Sequence, residues 1–337
     1  MKKLRAAVIG CGAIAHHCHI PGYLADKACE VVALSDPSKE NLQHAMNQFG
    51  IGQGYTDTAR MLKEEKPDLV SVCSPNRFHA EQAILALEAG CHVLCEKPLC
   101  LSRTEANRLQ KAHHKAKTLF MVAFSHRFFK GNIKARQALE RGDIGKLFML
   151  RIRFAHQGPD NDWMMSKSFF TPSLAGGGAL FDMGIHAIDL SMYFFGKIKK
   201  LSAMMGTLVK KIPMEDNAIL QFTFESGNLG YAEVGWTTKQ GFSGIELYGS
   251  EGCIVIDYNG EAYRLSGSTA ASGKRTVRKT VIEKIPLTGG WPAQMEHFIR
   301  CVRRGEQPEM DLEAGIESMK VALAAYESCK KGKIITL

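Results

Sequence analysis

The chain has 337 residues, roughly twice a common domain length, so two domains with separate cores are expected. Hydrophobic residues make up 45% and charged residues 23%, which leaves no compositional case for disorder. The net charge of +9 is concentrated in no basic stripe and no apolar run nears the roughly 18 residues of a membrane span, so neither nucleic acid nor membrane is an expected partner.

Lys2, Lys3 and Arg5 precede an apolar run too short for a secretion signal, and the expected compartment is the cytoplasm. The ten cysteines include no Cys-x-x-Cys pair, so reduced thiols are expected and no metal is assigned; Cys91, Cys95 and Cys100 beside His92 read as buried thiols. Residues 6–9, 31–35, 69–73, 92–95 and 120–124 are short apolar runs separated by helix-like segments. Runs apolar on both faces fit a doubly wound parallel sheet covered by helices on each side. Residues 81–88 form a helix capped by Gly90, and Ser102 with Glu105 resembles a capping box.

After about residue 145 the rhythm changes to alternating stretches with little helix between them: 147–156, 199–208, 218–225, 229–237, 244–248 and 253–258. Ser226-Gly227-Asn228 and Asn259-Gly260 are hairpin signals, so the second half is expected to be a mostly antiparallel sheet. Two amphipathic helices, 292–304 and 312–331, close the chain.

Gly10-Cys11-Gly12-Ala13-Ile14-Ala15 stands where the first strand turns into a helix, the context a dinucleotide fingerprint requires. The first glycine makes the turn, the second admits a pyrophosphate, the small third residue packs helix on sheet, and the helix N-terminus supplies donors. Asp36 ends the second strand, where a carboxylate accepts both ribose hydroxyls and repels a 2′-phosphate. NAD is therefore favoured, although Lys39 is close enough to pair with such a phosphate and NADP stays open. His16, His17 and His19 follow, with 16 and 19 on one helical face, but no acid or cysteine completes a metal set.

Cys73-Ser74-Pro75-Asn76 and Cys95-Glu96-Lys97-Pro98 end two further strands at their carboxyl ends, where open parallel sheets hold ligands. Farther on, Gly176-Gly177-Gly178 leads into an apolar helix carrying Asp182, His186 and Asp189, four and three residues apart and so on one α-helical face. Hydride transfer between an alcohol and nicotinamide needs a group that takes or returns the hydroxyl proton. His186 suits that task, Lys97 can stabilise charge on the substrate oxygen, and Asp182 can orient the imidazole or grip another hydroxyl.

On Gly10 to Ala15, Asp36, Ser74-Pro75-Asn76 with His79, Glu96-Lys97-Pro98, and Gly177-Gly178 followed by Asp182 and His186, the chain resembles the glucose-fructose oxidoreductase and inositol dehydrogenase family, Gfo/Idh/MocA, over nearly its whole length. The resemblance implies a Rossmann domain, 1–123, and a substrate-binding and oligomerisation α+β domain, 124–337, with a large open-faced sheet and a last helix packing back on the first domain. It implies dimers or tetramers through that sheet, and a sugar or cyclitol substrate. It also implies catalytic roles for Lys97 and His186, a substrate-gripping Asp182, nicotinamide-side Glu96 and Pro98, and Arg127 near cofactor and substrate. His126 departs from what several subfamilies carry. From location and chemistry, His156, Asn161 and Trp163 are further candidates for sugar contact. The rival readings are a glycoside-cleaving enzyme that oxidises and eliminates on bound NAD, and a non-catalytic NAD-binding sensor; retention of both Lys97 and His186 speaks against the sensor.

Overall fold

The computed structural model describes residues 3–159, 167–239, 243–258, 260–269, 275–284 and 290–337. They divide into two compact units: Met1–Phe124 with Asp160–Gly176 and Trp291–Met319, and Ser125–Pro159 with Gly177–Gly290 and Lys320–Leu337.

In the first unit β1 (Leu4–Ile9), α1 (Ile20–Ala25), β2 (Cys29–Ser35), α2 (Lys39–Phe49), β3 (Gly54–Tyr55), α3 (Thr58–Glu65), β4 (Leu69–Val72), α4 (His79–Glu88), β5 (His92–Cys95), α5 (Arg103–Ala116) and β6 (Phe120–Val122) alternate. The strands form one parallel sheet in the order β3-β2-β1-β4-β5-β6. Every residue of β4 and β6 is buried, because helices cover both faces. That is why β6 reads as an unbroken apolar run and β4 as one interrupted only by Ser71. The order reverses between β1 and β4, and the turns after β1, β2, β4 and β5 all open at the carboxyl edge. Ser102 caps α5 by accepting from the Glu105 N–H at 3.2 Å, while the Glu105 carboxylate accepts the Leu101 N–H at 2.8 Å, one residue before the position the capping-box pattern names.

In the second unit α6 (Lys130–Glu140), β7 (Leu147–Ala155), α8 (Ile185–Phe195), β8 (Ile198–Gly206), β9 (Asn217–Phe224), β10 (Leu229–Gly235), β11 (Gly244–Gly249), β12 (Gly252–Asp257), β13 (Glu261–Thr269), β14 (Arg275–Lys284) and β15 (Ile335–Thr336) build a nine-stranded sheet and its cover. A short α7 (Pro172–Ala175) belongs to the first unit, as do α9 (Trp291–Arg304) and the start of α10 (Leu312–Lys331). The sheet order is β14-β13-β12-β11-β7-β10-β9-β8-β15; β7 and β10 pair in parallel and the other neighbours antiparallel. Sequence reading misses β13 and β14, and it ends several strands a residue or two away from their observed limits. The turn signal at Asn259 lies outside the described residues.

One face of this sheet carries Leu150, Ile152, Phe154, Leu220, Phe222, Ala232 and Val234, all buried. The alternate positions Met204, Ile219, Leu229 and Tyr231 are exposed. The two-residue period is a consequence of a sheet covered on one side only. Gly22 allows close contact with α9, since a Cβ there would lie 2.4 Å from the Met295 side chain, and Gly315 in α10 likewise abuts Val122 and Leu99.

Candidate active site

Gly10 has φ +90°, and a Cβ on it would lie 2.6 Å from the Ser74 nitrogen, so conformation and backbone packing both demand glycine. Gly12 is different. A Cβ there would meet nothing within 4 Å, so no protein neighbour requires the missing side chain. The open cradle lies over the turn where the first-turn N–H groups, among them those of Ala13 and Ile14, have no intrahelical acceptor, and it fits a pyrophosphate. Cys11 is buried, and its N–H donates to one Asp36 carboxylate oxygen at 2.8 Å, while the Ser38 N–H donates to the other at 2.8 Å. The acid is thus fixed in orientation with a lone pair on each oxygen still available for ribose hydroxyls. Lys39 starts α2 as an exposed residue.

After β4, the Ser74 hydroxyl donates to Gln82 at 2.5 Å, Pro75 is extended, and the Asn76 amide donates to the Ala175 carbonyl at 2.9 Å. His79 is buried, with one ring nitrogen 2.7 Å from the Ser74 carbonyl oxygen and the other 2.7 Å from that of Pro98. Burial pushes this imidazole below its usual range. His79 therefore sits between the loops after β4 and β5, and the single N–H of its neutral ring bonds one of the two carbonyls at a time. Lys97 is half-buried, and the bond to Pro98 is cis. Glu96 is buried, with one carboxylate oxygen 2.9 Å from His19 Nε2 and the other accepting the Lys97 N–H at 3.2 Å.

The histidines after the fingerprint do not share a face. Ala15–His19 is a π-helical turn, one residue wider than an α turn, so α-helical spacing does not apply. His16 stacks on His44 and meets Gln48, whereas His19 points inward and is fully buried.

In the second unit, a Cβ on Gly178 would fall 1.9 Å from the Glu215 carbonyl oxygen and one on Gly177 2.0 Å from the Tyr326 hydroxyl. Glu215 gathers this loop: its carboxylate accepts from Gly178 N–H at 2.8 Å, Leu180 N–H at 3.1 Å and Tyr326 O–H at 2.7 Å, and its carbonyl from Ala179 N–H at 3.0 Å. A carboxylate at a helix start also complements the helix dipole. Leu180–Gly184 is a second π turn, again displacing the side chains that α-helical spacing would align.

Asp182 is buried and accepts the Trp236 indole N–H at 3.0 Å, with His156 Nε2 3.9 Å from the same oxygen. His186 is 6% exposed on α8, its ring centroid 4.4 Å from that of His126. His126 also stacks on Phe129 at 4.9 Å, and Asn132 fixes this corner by donating to the His126 carbonyl at 2.7 Å and the Tyr258 hydroxyl at 2.6 Å. Asp189, read from the sequence as part of the His186 stripe, instead accepts two bonds from Arg127, from Nε at 2.8 Å and Nη2 at 2.6 Å. Burial pushes the Asp189 carboxyl up and the guanidinium pulls it back. Arg127 also lies over the Tyr193 ring at 5.2 Å. Asn161 and Trp163 lie outside the described residues. Glu215, Trp236, Tyr258, Asn132 and Tyr326 carry no motif and escape sequence reading; only the fold brings them here.

Residues 4–124 match an oxidoreductase family with an NAD-binding Rossmann fold, and residues 132–255 match the GFO/IDH/MocA C-terminal domain. The chain belongs to this family. It is an NAD-binding oxidoreductase, as its glycine turn and Asp36 lead one to expect. It is 28% identical to D-glucoside 3-dehydrogenase of Escherichia coli over 99% of this chain and 97% of that protein. It is also 28% identical to myo-inositol 2-dehydrogenase of Thermotoga maritima, over 99% and 98% of the two chains. Its fold is similar to levoglucosan dehydrogenase in complex with NADH, with TM-score 0.87, 24% identity and 99% coverage of each chain. Among the described residues no helix is long and apolar enough to cross a membrane.

Proposed function

We propose that this enzyme moves a hydride between NAD and a secondary hydroxyl or carbonyl of a sugar, sugar derivative or cyclitol. The observation that carries the reading is His186: an imidazole buried on α8, in ring contact with His126, on the same turn-and-helix as a buried Asp182 held by Trp236. Bound NAD supplies the hydride acceptor. The chain's own residues handle charge: His186 takes the hydroxyl proton in oxidation and returns it in reduction, and Lys97 stabilises negative charge on the substrate oxygen. Asp182, held by the Trp236 indole, grips another hydroxyl of the substrate. Asp36 grips the adenosine ribose, favouring NAD over NADP. The sugar or cyclitol class is supported by the activities in the names of the relatives, D-glucoside 3-dehydrogenase and myo-inositol 2-dehydrogenase.

An NAD-linked absorbance screen across sugars, sugar acids, cyclitols and glycosides tests this. Net NADH formation with a polyol is the expected result; aryl-glycoside cleavage without NADH would replace it with oxidation and elimination. His186→Ala or Lys97→Ala should lower turnover at least about a hundredfold while NAD binding is kept. Unchanged turnover in both refutes the assignment.

The chain first passes from the nucleotide-binding domain to the second domain at about residue 124, with α7, α9 and the start of α10 belonging to the first unit, and the enzyme works as a homodimer or homotetramer through the uncovered sheet face. Exposed Met204, Ile219, Leu229 and Tyr231 stand there beside the Arg153–Glu233 and Arg151–Glu246 pairs, an apolar patch with polar edges of the sort interfaces use. Ten free cysteines support the cytoplasm as its compartment.

A further inference from the structure

Beneath Lys97 runs a buried polar chain for which hydride transfer has no direct use. Tyr23 and His19 from the first helical segment, Ser71 from the middle of β4 and Glu96 from the end of β5 lie in single file. The Tyr23 hydroxyl is 2.7 Å from Ser71 Oγ, Ser71 Oγ 2.8 Å from His19 Nδ1, and His19 Nε2 2.9 Å from Glu96 Oε1. Tyr23, Ser71 and His19 are each 0% exposed. With the His19 ring proton on Nε2, every bond has a donor and an acceptor. Tyr23 O–H donates to Ser71, Ser71 O–H to His19 Nδ1, and His19 Nε2–H to one Glu96 oxygen, whose partner oxygen accepts the Lys97 N–H at 3.2 Å. A polar chain this deep is a large desolvation burden unless it fixes something, and apolar side chains of equal volume would fill the space at less cost.

We propose that His19 is a positioning residue for Lys97: through the Glu96 carboxylate it holds the Lys97 backbone in place, with Ser71 and Tyr23 fixing the imidazole. The Lys97 segment is then flanked from two sides, since a His79 ring nitrogen lies 2.7 Å from the Pro98 carbonyl oxygen. The π turn at Ala15–His19 has a part in this arrangement, because its extra residue lets the fingerprint helix begin at the cofactor turn and still send His19 inward. The proposal rests on the reading of Lys97 as a residue of the chemical step.

The test compares His19→Phe, His19→Gln, Tyr23→Phe, Lys97→Ala and the His19→Phe/Lys97→Ala double variant in the full chain. It measures kcat, KM and NAD affinity on a substrate found by the NAD-linked screen. Displacement of a reacting group by about 1 Å can lower turnover about a hundredfold, so His19→Phe should reduce kcat at least about thirtyfold with NAD affinity within about threefold. His19→Gln, whose amide can still donate to Glu96, should recover most of that loss. Because the histidine acts through Lys97, His19→Phe should add little to Lys97→Ala. A structural role alone would lower stability and NAD affinity and leave kcat of the folded enzyme intact; that pattern overturns the proposal, as does a fall in kcat that adds in full to that of Lys97→Ala. If His19→Phe does not fold, Tyr23→Phe carries the test, with a severalfold fall in kcat expected and an unchanged kcat overturning it. If Lys97→Ala turns over like the parent, the reading of Lys97 fails; if Lys97→Ala is inactive and His19→Phe is not, only the positioning role falls.

Discussion

Replacing Asp189 by asparagine removes one charge from a pair that water hardly reaches: the Asp189 side chain is 1% exposed and that of Arg127 12%. Both bonds come from one guanidinium, at 2.8 and 2.6 Å, a forked geometry an amide cannot reproduce. Breaking a buried pair on one side costs about 3–5 kcal/mol, because the remaining charge stays desolvated. Arg127 keeps some contact with water, so the low end of that range, a loss of about 3 kcal/mol, is expected for Asp189→Asn. For a unit of this size that lowers the melting temperature by roughly 6–12 °C. Urea unfolding followed by circular dichroism measures it. An Arg127→Met/Asp189→Leu double variant, with no charge left to bury, should recover to within about 1 kcal/mol of the parent. A loss below about 1 kcal/mol in the single variant, or a double variant as weak as the single, would refute the desolvation argument.

Gly178→Ala forces a Cβ to within 1.9 Å of the Glu215 carbonyl oxygen, so it should lower stability by about 1–3 kcal/mol and turnover along with it; a parental melting curve would refute the close approach. Asp36→Ala should weaken NAD at least about tenfold more than NADP, read by fluorescence titration, and equal loss of both would remove the ribose argument. Burial pushes the Asp216 carboxyl up, but the N–H groups of Lys210, Leu208 and Val209 and the Asn217 amide outweigh it, holding the group below the usual carboxylate range. A depressed carboxyl stabilises the fold above its unfolded pKa and loses that contribution as pH falls through the folded value. Asp216→Asn should therefore be less stable than the parent at pH 7, and the gap should begin to close only as pH falls below about 4 in urea unfolding, whereas parallel pH curves would contradict the assignment.

Much of the first unit is legible because its signals are contiguous. Strand, glycine turn and helix follow one another within residues 4–25, and strands buried on both faces read as mostly apolar runs without a two-residue alternation. The second sheet shows its two-residue alternation because one face is covered. Where that condition fails, so does the reading: β14 is exposed at Thr276 through Val281, so no alternation marks it or its partner β13.

Side-chain partnerships were beyond sequence reading. Helical spacing put Asp189 with His186 and His16 with His19, but Arg127 claims Asp189, and a π turn, one residue wider than the spacing assumes, sends His19 to Glu96. The glycines at 177 and 178 stand out in the sequence, while the Tyr326 hydroxyl and Glu215 carbonyl that exclude side chains there are many residues away. The sequence alone therefore determined the parallel nucleotide-binding unit, the one-sided second sheet and the residue types for hydride chemistry, since backbone period and local turns are short-range. The tertiary structure decided which acid meets which histidine or arginine, because a buried charge takes the partner the fold places within hydrogen-bond reach, whatever their separation along the chain.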